Sequence, residues 1–282
     1  MMGRRTVWAA CAALFLSGSV NATVLVQSSL GGLAATVADL DPDDGIAASV
    51  AFRPVDPAAL PAWERGSVSA QYSGATVERQ DAAALSDLSV QVTAPGNALA
   101  TAALADRGDV TTQRLMLSAS GDFAAPANPV YGRDAQANGA SDFLWFVLAP
   151  HTSLTVTVSG FGSGRLDDGW RESFSNTTTL LVDLWPPGGG PWVDEDLDYH
   201  YVESPAGWAP GPYAHEEAFT LTVQVANLDD SAANGSLRFT GGADVYARVP
   251  PPVPEPATAG MLAAGLGLLG WRCRRRQARQ SR

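Results

Sequence analysis

The chain has 282 residues, and its 46% hydrophobic and 8% aromatic content fits a globular protein rather than a disordered tail, a collagen-like repeat or a small disulfide scaffold. All 18 basic residues are arginine, so there is no Walker A lysine, Schiff-base lysine or Ser-Lys dyad. Residues 23–252 hold ten arginines against 28 acids, about −18, a charge that repels nucleic acid and anionic lipid and leaves neutral ligands or cations as partners.

The N-terminus reads as a secretory signal peptide, Met1–Ala22. Arg4 and Arg5 form its basic start, Val7–Leu16 is a ten-residue apolar run too short to span comfortably, and Val20-Asn21-Ala22 places cleavage after Ala22. The partner this implies is the secretion translocon. Both cysteines, Cys11 and Cys273, fall in the terminal segments, so the body has no thiol and folds in an oxidising compartment on its core alone.

From residue 23 onward, apolar residues alternate with polar ones, the period of half-buried strands. The pattern predicts strands at 23–29, 33–38, 46–53, 67–72, 88–92, 110–119, 143–149, 153–160, 177–185, 219–225 and 236–240. Ala82–Leu85 and Asn97–Ala105 are rich in alanine and read as short helical turns. Phe143–Leu148 is apolar on both faces, as a central strand should be, and Pro150–Thr152 turns it into a hairpin with 153–160. Gly160–Gly164 reads as a flexible turn after that strand, and Asn234-Gly235 as a tight turn before the last one. Some ten strands between Gly, Asp and Pro turns predict an all-β fold, an antiparallel jelly-roll-like β-sandwich in one domain over 23–249, flanked by a signal helix and a C-terminal transmembrane helix.

The most unusual stretch is Trp185–Glu217. It sets Trp185, Trp192, Trp208, Tyr199, Tyr201 and Tyr213 beside Asp194, Glu195, Asp196 and Asp198, and reads as a long loop between two strands. Two readings stand. The rings plug one end of the core, or Trp192, Trp208, Tyr199 and Tyr201 stack on sugar rings while the acids take the hydroxyls. The ion such acids suit is Ca²⁺, at the 194–198 acids or at Asp39, Asp41, Asp43, Asp44 and Gly45. The latter departs from a calcium loop, with its glycine at the seventh place and no glutamate at the twelfth.

Enzyme signatures are weak. His151, His200 and His215 lack metal-ligand spacing, and His215-Glu216-Glu217 has no second zincin histidine. An acidic chain offers many carboxylate pairs, so a glycoside hydrolase stays as an alternative, but nothing marks one pair. The body is read as non-catalytic and without a cofactor.

The C-terminus has three parts in a fixed order. Pro250–Pro256 is a proline stalk ending in Val253-Pro254-Glu255-Pro256. Ala257–Trp271 is an uncharged run, and residues 272–282 carry the cluster Arg272, Arg274, Arg275 and Arg276. Fifteen helical residues rise roughly 22 Å, short of a ~30 Å hydrocarbon core, so the run thins the bilayer or borrows its flanks. The arginines stay cytoplasmic and the body lies outside, the topology that the signal peptide also predicts. This tail resembles the PEP-CTERM sorting signal of exported Gram-negative proteins. The resemblance implies a membrane-embedded exosortase that recognises the motif and processes the chain near it. It further implies transient anchoring in the inner membrane, then a cell-surface or extracellular place in a biofilm's polysaccharide matrix. Prolines on both sides hold Glu255 extended, as a peptide-cleaving enzyme requires.

Overall fold

A computed structural model describes residues 24–53, 61, 64–72, 76–81, 86–94, 98–107, 111–121, 134–167, 172–204 and 212–247. The chain divides after Arg248 into two units, and every described residue lies in the first. The signal peptide with Ala22, the turn expected at 82–85, Trp208, and the stalk, sorting motif, apolar run and arginine cluster lie outside the described residues. Among those described, no helix is long and apolar enough to cross a membrane.

The described body is all strand. In chain order the strands are β1 (Val24–Asp39), β2 (Val50–Phe52), β3 (Ser67–Tyr72), β4 (Thr76–Asp81), β5 (Leu88–Ala94), β6 (Ala98–Ala105) and β7 (Arg114–Gly121). There follow β8 (Asp134–Ala140), β9 (Leu144–Leu148), β10 (Thr152–Leu166), β11 (Glu172–Trp185), β12 (Asp194–Glu203), β13 (Tyr213–Asn227) and β14 (Ala233–Ala247). One sheet runs β13-β10-β1-β7-β6-β5. The other runs β12-β11-β14-β8-β3-β4, with β9 joined to β14 and β2 joined to β9. All the pairings are antiparallel, and the two sheets face each other as a sandwich, as the alternation predicts.

The core is the sum of the inward faces. Val24 and Val26 of β1, Leu154, Val156 and Val158 of β10, Leu180, Val182 and Leu184 of β11, and Leu221, Val223 and Val225 of β13 are all buried. Each buried Val or Leu contributes roughly 1.5–3 kcal/mol relative to exposure, so the alternation is also the main source of stability.

Several local readings change. The strands expected at 23–29 and 33–38 are one strand, β1, whose register slips between Gly31 and Ala34, with Gly32 at φ +70° inside the bulge. The helical turn expected at 97–105 is β6. Ala98, Ala100, Ala102 and Leu104 are buried on one face and pairing on both sides by β5 and β7 overrides the helix propensity of alanine. The hairpin expected from 143–149 and 153–160 does not form: β9 pairs with β14 and β2, whereas β10 pairs with β1 and β13. Both segments carry a buried apolar row, and the short connection is a corner that sets those rows in opposite sheets. Asn234-Gly235 lies inside β14, where Gly235 leaves room for the Phe146 ring; a Cβ there would come within 2.2 Å of that ring. Gly160–Gly164 likewise lies inside β10, its glycines making way for the rings of Phe219 and Phe174.

One buried polar group ties four loops together. The Arg107 guanidinium meets the Asp142 carboxylate twice, Nε to Oδ2 at 2.9 Å and Nη2 to Oδ1 at 2.6 Å, and both side chains are fully buried. The Gly66 amide donates to Asp142 Oδ1 at 2.7 Å and Gln113 Nε2 to Oδ2 at 3.3 Å, while Arg107 Nη1 reaches the Ser86 carbonyl at 3.1 Å.

Candidate functional site

The stretch read as a long loop contains a strand. After Trp185, Pro186-Pro187 and three glycines at positive φ (88°, 85° and 150°) reverse the chain. Val193 N–H then rejoins the ladder at the Leu184 carbonyl, 2.7 Å away, and β12 pairs with β11 along its length. Its alternation is real but not hydrophobic. Asp194, Asp196, Asp198, His200 and Val202 share one face, and Glu195, Leu197, Tyr199, Tyr201 and Glu203 share the other.

The first face explains the acids. β12 is an edge strand of one sheet and β13 an edge strand of the other, so the inward aspartates of β12 meet the free edge of β13 instead of the core, while Val202 at the end of the face packs on the core. Thr222 N–H donates to Asp198 Oδ2 at 2.7 Å, Gln224 N–H to Asp196 Oδ2 at 2.7 Å, and Ala226 N–H to Asp194 Oδ2 at 2.8 Å. Asp194 and Asp196 use their other oxygen on the next residue's N–H, at 3.0 and 2.9 Å. A row of carboxylates therefore satisfies the amides that an exposed edge would leave open. The four acids named for Ca²⁺ are not gathered around a point: three lie at alternate positions along this seam, and Glu195 faces the other way.

The same seam brings together two histidines that sequence spacing keeps apart. His200 Nε2 lies 3.2 Å and His215 Nε2 3.3 Å from the same oxygen of Glu217, Oε2. The His200 ring stacks on Phe219 with centroids 3.8 Å apart. Hydrogen bonds from His200 and then His215 hold the Glu217 carboxyl below the ordinary glutamate range.

The second face carries the aromatic residues. Tyr199 is 64% and Tyr201 50% exposed, at successive outward positions, opposite Thr179 and Thr177 of β11. Leu197, 51% exposed, continues the row, and Trp192 stands in the turn before it. The Tyr201 hydroxyl donates to Glu203 Oε2 at 2.8 Å, which pushes the phenol up from its usual range. Of the four aromatic residues named for sugar stacking, the structure sets Tyr199 and Tyr201 on one exposed face. Further along the same sheet face, Trp145 and Trp185 meet edge to face at 5.3 Å, and the Arg238 guanidinium lies 4.8 Å over the Phe143 ring. Asp183 sits beside this cluster opposite Ser236; burial and then the nearby Glu195 charge push its carboxyl up.

Residues 252–276 match the family model described as the PEP-CTERM protein-sorting motif. The chain carries a PEP-CTERM sorting signal. The matched span holds Val253-Pro254-Glu255-Pro256, the apolar run and the cluster Arg272–Arg276. The signal marks export and membrane-associated sorting at the C-terminus, and it implies recognition by an exosortase-type membrane enzyme. No curated protein matches the chain.

Proposed function

We propose that this chain is a non-catalytic β-sandwich module, delivered outside a Gram-negative inner membrane and sorted to the cell surface, where it takes a place in an extracellular polysaccharide matrix. The observation that carries the reading is the sorting signal at 252–276, placed after an acidic body. The Arg272–Arg276 cluster cannot readily cross the bilayer, so the body waits outside while an exosortase-type enzyme acts on the Pro254-Glu255-Pro256 segment. The intact mass of the protein taken from its native cell surface tests this. The expected species begins after Ala22 and lacks the arginine-rich tail; a surface species that still carries Arg272–Arg282 overturns processing by such an enzyme.

A second reading has its own observation: Tyr199 and Tyr201 are exposed side by side on one sheet face, flanked by Thr177, Thr179 and Glu203. Flat rings meet the C–H face of a pyranose, and hydroxyls and carboxylates take its hydroxyls. The body then binds a neutral polysaccharide through this face. Electrophoresis through gels containing neutral glucans is expected to retard the wild type and not Y199A/Y201A. Equal mobility of the two sinks the reading.

A further inference from the structure

Three connections meet at one end of the sandwich: the β1–β2 loop (40–49), the β9–β10 corner (149–151) and the β13–β14 turn (228–232). Their backbones are pinned to one another. Leu40 N–H donates to the His151 carbonyl at 2.7 Å and Ala149 N–H to the Ser49 carbonyl at 3.0 Å. The fully buried Asn227 uses its amide group on the carbonyls of Leu148, Ala149 and Ser231 at 2.9–3.4 Å. The corner sets His151 at φ +47° and points its ring at the acidic loop.

Ligand atoms of Asp41, Asp44 and His151 all lie within 4.8 Å of one another. The Asp230 carboxylate lies 2.9 Å from His151 Nε2. Asp41 and Asp44 each direct one oxygen to a backbone amide of their own loop, Asp43 N–H at 3.3 Å and Ile46 N–H at 2.6 Å, so the other oxygen of each is open. Among the described residues no arginine pairs with Asp41, Asp44 or Asp230. Three carboxylates thus crowd one imidazole, with no positive side chain among the described residues to offset them.

We propose that Asp41, Asp44 and His151 bind one divalent first-row transition ion of the Zn²⁺ class. The donor that decides is the imidazole, which comes from a different loop and which Ca²⁺, an all-oxygen ion, does not seek. Donors around one such tetrahedral ion lie about 2.0–2.2 Å from it and about 3.4 Å from one another, so three donors within 4.8 Å close on it by side-chain shifts of roughly 1 Å. The bound ion offsets the local negative charge and clamps the β1–β2 loop to the β9–β10 corner. This goes beyond the sorting reading and does not depend on it.

Titration calorimetry with Zn²⁺ alone and Ca²⁺ alone, on the full chain in detergent, tests the site. The expected result is one Zn²⁺ per chain, Ca²⁺ at least tenfold weaker, and a Zn²⁺-dependent rise in Tm. His151→Gln is expected to weaken Zn²⁺ about 10–100-fold, as is Asp44→Asn, each with an unchanged circular dichroism spectrum. The double variant H200Q/H215Q keeps full Zn²⁺ affinity. No saturable Zn²⁺ binding, binding indifferent to His151→Gln, or binding lost instead in H200Q/H215Q overturns the proposal. Ca²⁺ binding as tight as Zn²⁺ overturns the choice of ion.

Discussion

Asp142 and Asp196 are the same residue at two boundaries of one sandwich, and they are stabilised in opposite ways. Asp142 is sealed inside, and its charge is tolerated because the Arg107 guanidinium and the Gly66 amide meet it there. Asp196 lies on a seam open to water. It needs no cation, because it serves as an acceptor for the edge amides of Leu197 and Gln224. The first arrangement ties loops together through a charge that has nowhere else to go. The second seals an edge by hydrogen bonds whose alternative partner is water. Removing a partner therefore has very different consequences at the two sites.

The largest effect is expected at the buried pair. Arg107→Ala leaves Asp142 ionised in the interior with two neutral donors, and should destabilise the fold by about 3–5 kcal/mol. Urea denaturation of the full chain followed by tryptophan fluorescence measures it. R107M/D142L, which removes both charges, is expected to recover much of the loss; a double variant as unstable as R107A would show that the geometry of the loops, rather than an orphaned charge, sets the penalty.

Asp244 sharpens the contrast, because among the described residues it has neither an arginine nor a backbone amide. Burial pushes its carboxyl up to about 6, against the pull of the Ser175 and Tyr246 hydroxyls. The folded value lies above the unfolded one near 3.8, so the folded state holds this proton more tightly. Its contribution is fully present below about pH 3.8 and is lost as pH rises towards 6. Asp244→Asn is therefore expected to be more stable than the wild type at pH 7, by on the order of 2 kcal/mol, with most of the difference gone by pH 4. Thermal melts at the two pH values decide it, and a constant difference would remove burial of the charge as the cause.

The same contrast marks what can be read from residues alone. Where the inward face is apolar, as in Leu154, Val156 and Val158 or in Phe219 through Val225, period two places the strand. β12 has that period too, but its first four inward positions are Asp, Asp, Asp and His, because they face the edge of β13 and not the core; only Val202 at its end packs on the core. Hydrophobicity is silent there, so the segment reads as a loop. β6 and β8 hide differently: their buried residues include Ala98, Ala100, Ala102, Ala135 and Ala137, whose local preference is for helix. Pairing is less visible still. The rows of β9 and β10 look alike along the chain, and only the corner at His151 sends them into different sheets. His200 meets His215, and His151 meets Asp41 and Asp44, through that pairing alone. The sorting motif is legible because its chemistry is linear: prolines around an acid, an apolar run, then arginines.

The smallest effect is expected at the seam, and it separates two accounts of the carboxylate row. If the row works by accepting hydrogen bonds, Asp196→Asn keeps an acceptor and changes stability by less than about 0.5 kcal/mol, whereas Asp196→Ala leaves the Gln224 amide to water and loses about 1 kcal/mol. If the row works by charge, the two variants lose alike, and added salt weakens the wild type towards them. Hydrogen exchange adds a local readout. The Gln224 amide should exchange faster in Asp196→Ala, while the Thr222 and Ala226 amides stay protected by Asp198 and Asp194. Exchange that accelerates at all three amides together would mean that β12 lifts from β13 as one unit, making the seam a single cooperative closure rather than three separate caps.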